Sequence, residues 1–150
     1  MVIVPDMAQP SLFDEMGGEV ALSMVVDRFI DRVFSDSMIG FFFAHADRER
    51  IKNKEYELAA ATLGAPIEYS GRELGPAHAR HAIQTGHFFR RLEILRQTLH
   101  EFQVPERVAR HWLDHNAALQ AVVVTGSDLA CGPGGAESPP GDQASIREKN

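Results

Sequence analysis

From Gly75 to Phe89 the chain reads GPAHARHAIQTGHFF and holds His78, His81 and His87, three of its seven histidines. Neutral imidazole is the commonest side-chain metal ligand, so this stretch is where metal chemistry would be sought. His78 and His81 share one helix face and could hold zinc together, but no third or fourth ligand lies nearby. His111 and His115 stand one turn apart in HWLDH. A zincin site needs glutamate directly after its first histidine, where Trp112 stands. A di-iron bundle needs Glu-x-x-His on two helices, and the chain contains no such motif. His115 reads as a core histidine with a hydrogen-bonded ring. His100 meets the dipole at a helix end, and His45 merely precedes a cap. A single imidazole on a short helix framed by apolar helices suits another role, the axial ligand of haem. Porphyrin brings four nitrogens of its own, so the protein need supply only one.

The elements that would position such a ligand are helical. The 150-residue chain is 44% hydrophobic, enough for one ordinary core. Leu22, Val25, Phe29 and Val33 make one stripe, with Asp27, Arg28, Asp31 and Arg32 away from it. Asp47 is placed to cap a second helix carrying Ile51, Leu58 and Thr62, which Gly64 and Pro66 stop. Residues 64–75 read as a loop, and Pro76 suits the first turn of a short helix holding His78. Phe88, Leu92, Leu95, Leu99 and Phe102 step by four and three. After Pro105, Val108, Trp112, His115, Leu119 and Val122 repeat the rhythm. These last two stripes are expected to pair as the main hairpin of an all-α domain.

Composition sets the limits. A formal charge of −6 and no basic stripe argue against nucleic acid. No run of about 18 apolar residues suggests a membrane span, and the N-terminus lacks a secretory pattern. The single cysteine, Cys131, allows no internal disulfide and no C-x-x-C-H haem attachment, which fits a cytoplasmic protein. Residues 126–150 are rich in Gly, Pro and Ser and read as a disordered tail; residues 1–10 read as a flexible segment. The folded domain is then residues 11–125.

Taken in order, several stretches resemble the truncated haemoglobins, most closely group I. SLFDEMGG, VVDRFIDRVFSD, FFAHAD, LGAPIEYSGRELGPAH, HFFRRLEIL and QVPERV fall in the family's sequence of elements. The resemblance implies a two-over-two helical sandwich around non-covalent haem b. It places the proximal iron ligand on His78, with His81 toward a propionate or solvent and Arg72 toward a propionate. It implies apolar lining at Phe42, Phe43, Leu58, Leu63, Leu74, Phe88 and Leu92, positions that ordinary core packing would also fill.

The chain departs from the family on the distal side. Where group I members commonly have a tyrosine, this chain has Ile30, and where they often have glutamines it has Ile51 and Glu55. Polar help is left to Lys54, Glu55 or Tyr56. Neutral Lys54 could ligate iron, or its ammonium could reach a propionate or water. Glu55 shares the apolar stripe with Ile51 and Leu58, where desolvation would favour its neutral form. Otherwise it would swing out to Lys52 or Lys54. The resemblance implies binding of a diatomic gas (O2, NO or CO), supported by a reductase. Nitric oxide dioxygenation is disfavoured by the poor donor set. The alternatives are a six-coordinate redox or sensor protein, a peroxidase-like protein using Glu55, and a haem-free helical interaction module.

Overall fold

The computed structural model describes residues 9–71 and 82–124. Arg72, Leu74, His78, His81 and the segments read as flexible at either end lie outside them, apart from residues 9–10. Among the described residues there are helices and turns and no strand. A short helix α1, Leu12–Glu15, is capped by the Ser11 hydroxyl, which accepts from the Asp14 N–H. Helix α2, Gly18–Ser35, follows Gly17, whose φ of 115° is left-handed backbone that favours glycine. A 3-10 turn spans Gly40–Phe43. Its first residue must be small, because a Cβ on Gly40 would lie 2.6 Å from the Phe34 carbonyl oxygen. Helix α3, Arg48–Thr62, starts at Asp47 as expected, with the carboxylate accepting from the Arg50 N–H. Helix α4 is Thr85–Glu101 and α5 is Glu106–Ala118.

The pair α2–α3 lies over the pair α4–α5, the two-over-two sandwich. The expected α4–α5 hairpin forms, but α2 is the hub: it packs on α3 and α4 more extensively than α4 packs on α5. Its face of Leu22, Val25, Val26, Phe29, Ile30 and Val33 is closed from water. Ile94, Leu95 and Leu99 of α4 and Val108 and Trp112 of α5 complete the core. Each large apolar side chain so buried contributes about 1.5–3 kcal/mol.

Two stripes differ from their sequence reading. On α3 the buried residues are Glu55, Ala59 and Ala60, while Ile51, Leu58 and Thr62 are only half-buried. The two alanines are closed into the core at 2% and 0% exposure. The final helix does not run through to Val122. It ends at Ala118 with Leu119 as its C-cap, and a separate turn, α6 (Gln120–Val123), leaves Val122 46% exposed. His115 is half-buried rather than a core residue.

Asp36 joins the 3-10 turn to α4. Its carboxylate accepts from the Met38 and Ile39 N–H groups at 2.9 and 3.2 Å. It also accepts from Arg90 Nε at 2.9 Å and Nη2 at 2.6 Å. The Arg90 hydrogen bond, opposed by burial, holds this carboxyl below its ordinary 3.8. Because the folded value is lowered, the stabilisation is complete above the ordinary value and is lost as pH falls through the folded one. Asp36→Asn is therefore expected to flatten the acid limb of stability below about pH 4, read from urea midpoints. A limb as steep as in the parent chain would show that Asp36 contributes nothing to it.

Candidate functional site

The residues expected to line a haem cleft fall into two groups. Ile30 and Leu63 are closed into the core, at 2% and 1% exposure. Phe88 is 7% exposed. Phe42, Phe43, Ile51, Leu58 and Leu92 remain half-exposed, on the 3-10 turn, α3 and α4. Phe43 stacks on Phe34 with centroids 5.0 Å apart, and the Arg48 guanidinium lies 4.8 Å over Phe34. Phe42 meets the His87 ring edge-on at 5.0 Å. These five apolar side chains are thus only partly covered by the rest of the described residues.

His87 is a capping residue. Its Nδ1 accepts the Gln84 N–H at 3.1 Å, while the Gln84 side chain accepts the His87 N–H. His111 is exposed and donates through Nε2 to the Thr62 carbonyl at 3.1 Å. Among the described residues no group of three His, Cys, Asp or Glu is arranged to hold a metal ion. That arrangement would suit zinc; haem needs only one protein donor.

The polar residues near the cleft are tied down in ways the sequence did not show. Lys54 donates to Ser70 Oγ at 2.6 Å and to Glu57 Oε2 at 3.5 Å. Glu57 also accepts the Ser70 N–H at 3.1 Å, so Lys54, Glu57 and Ser70 fasten the loop start to α3. Those contacts, above all the Ser70 N–H, hold the Glu57 carboxyl below its ordinary range. Lys52 faces away, to Asp27 and Asp31 of α2. Tyr56 is half-buried, and its hydroxyl is pushed up by desolvation and then by Glu19 of α2. Tyr69 is the phenol that senses Glu55: burial pushes it up first, then the charges of Glu55 and Glu57.

Glu55 stays on the buried face of its helix, and its partner is one the sequence reading did not consider. It is turned inward, 9% exposed, and pairs with neither Lys52 nor Lys54. Arg91 Nη2 of α4 donates to its Oε2 at 2.8 Å. Arg91 Nη1 donates to Asn116 Oδ1 of α5 at 3.1 Å, and the guanidinium lies 4.8 Å over the Phe29 ring of α2. Four helices thus meet at one arginine. The carboxylate is therefore paired across the helices rather than left alone among apolar side chains. Arg91 was missed by the sequence reading. Its signal was there: it lies three residues after Phe88 and four before Leu95, within the apolar face, as Glu55 lies within that of α3.

Comparison with known proteins agrees with this geometry. A family model of bacterial-like globins matches residues 11–125. The group 1 truncated hemoglobin GlbN of Mycolicibacterium paratuberculosis is 33% identical over 120 residues, covering 79% of this chain and 88% of its own. The hemoglobin of Chloroflexus aurantiacus superposes with a TM-score of 0.69 at 26% identity, covering 78% of this chain and 99% of that one. The Fe(III) truncated hemoglobin of Tetrahymena pyriformis shares the fold with a TM-score of 0.71 at 24% identity, over 77% and 98% of the two chains.

Proposed function

Because this chain belongs to the bacterial-like globins, as a truncated haemoglobin of group 1, we propose that it holds haem b non-covalently through His78 and binds a diatomic gas there. Haem and gas binding follow from the family. The half-exposed apolar surface of Phe42, Phe43, Ile51, Leu58 and Leu92, on elements matching the family throughout, carries the reading for these side chains. When bound, haem iron supplies an open coordination position for the gas.

The residues have separate tasks. His78 would hold the iron through a nitrogen lone pair, and a hydrogen bond from its other ring nitrogen would fix the ring. Arg72 would pair with a propionate, and His81 would face a propionate or solvent. The apolar side chains exclude water. With isoleucine at 30 and 51, the distal wall lacks the hydroxyl and amide donors common in the family. Nothing in the sequence offers C-x-x-C-H for covalent attachment. No helix among the described residues is long and apolar enough to cross a membrane.

Five-coordinate iron is favoured over a lysine-ligated form. Lys54 is engaged by Ser70 and Glu57, and ligation would require breaking both contacts and releasing its proton. Lys54→Ala is expected to leave ferric and ferrous absorption spectra unchanged. A low-spin spectrum that turns high-spin in this variant would restore lysine as a ligand. The first test of the whole reading is the spectrum of the hemin-reconstituted chain. A Soret band is expected, and a colourless chain would refute it.

A further inference from the structure

The geometry points to Arg91 as a receptor for small inorganic monoanions entering the distal side of the cleft, an inference that rests on the haem reading above. Arg91 shares its helix face with Phe88 and Leu92, two of the apolar residues placed against haem. Across from it, Glu55 shares a face with Ile51 and Leu58. The ion pair therefore joins the two helices that carry these apolar side chains.

Its two ends are not equally reachable. The Arg91 side chain is 30% exposed and that of Glu55 only 10%. The arginine side chain is thus the more accessible of the two. The guanidinium is also held in place from three sides, by Glu55, Asn116 and the Phe29 ring. Asn116 is itself fixed, since its amide donates to the Trp112 carbonyl at 3.0 Å. A cation so held, in partly desolvated surroundings, attracts an anion without first being reorganised. A neutral diatomic gas gains much less from it. Glu55 partly cancels that attraction while anchoring its source, so the two partners act on an anion with opposite signs.

That opposition is the test. Azide binding to the ferric hemin-reconstituted chain and carbon monoxide binding to the ferrous chain are measured at one pH, together with the infrared stretch of bound azide. Arg91→Met is expected to lower the ratio of azide to carbon monoxide affinity about ten-fold or more. Glu55→Gln keeps an acceptor for Arg91, removes the opposing charge, and is expected to raise the ratio several-fold. The double variant carries neither charge, so it remains informative if the Arg91 single variant folds poorly, and its ratio is expected below that of Glu55→Gln. A role in packing alone would move both single variants in the same direction. An intact Soret band with ratios unchanged, or lowered in both single variants, overturns this inference alone. No Soret band overturns it together with the haem reading.

Discussion

His78→Ala is expected to leave the purified chain unable to retain hemin through gel filtration, with the Soret band lost. The expected drop in haem affinity is roughly 100-fold or more, equivalent to about 3 kcal/mol. The other imidazoles are poor substitutes. His87 uses Nδ1 to cap α4, and His111 lies exposed against the Thr62 carbonyl. His45 and His100 are exposed, and His115 sits half-buried on α5. Glu55, a carboxylate near the cleft, already has a guanidinium partner. His81→Ala is the paired control, since it follows His78 by three residues. Haem retained by His78→Ala and lost from His81→Ala would move the ligand to His81. Haem retained by both would remove histidine ligation from this stretch.

Arg91→Met is expected to destabilise the haem-free chain by about 3 kcal/mol, at the low end for a broken buried ion pair because Arg91 is partly exposed. The loss comes mainly from what remains. The Glu55 carboxylate would stay buried without its cation, Asn116 Oδ1 would lose a donor, and Phe29 would lose the guanidinium over its ring. Glu55→Gln should cost less, since the amide oxygen still accepts from Arg91. Replacing both charges together should recover part of the single-variant loss, because two neutral side chains leave no unpaired charge. Urea midpoints of the four chains give the coupling directly. If the double variant equals the sum of the singles, the two residues act independently and the ion pair does not join the helices.

The sequence allowed the helices to be placed because their signals are local. The stripe of α2 is buried as its spacing required, and Asp47 caps α3 through a hydrogen bond three residues long. The stretches resembling the family fell in the right order, which is why the two-over-two fold could be expected before any packing was seen. Short elements escaped notice. The 3-10 turn at Gly40–Phe43 carries too few residues for a period, and its need for glycine arises from the carbonyl of Phe34 in the preceding helix. The break at Leu119 was hidden because Leu119 and Val122 continue an apolar rhythm that the backbone does not follow.

The cleft shows where local reading stops. Periodicity placed Glu55 among apolar neighbours on one face, with a swing out to Lys52 or Lys54 as the other reading. The partner is Arg91, on another helix and 36 residues away. Lys54 turned to Ser70 at the start of the next loop. The sequence by itself determined the helical class, the order of the elements and the cap at Asp47. Only the tertiary structure decided that Ala59 and Ala60, rather than Ile51 and Leu58, close against the core, and that Arg91 meets Glu55, Asn116 and Phe29. The reason is physical: helix period and capping depend on neighbours within a turn, whereas charge pairing depends on how closely separate helices approach and at what rotation, which the packing of all four fixes together.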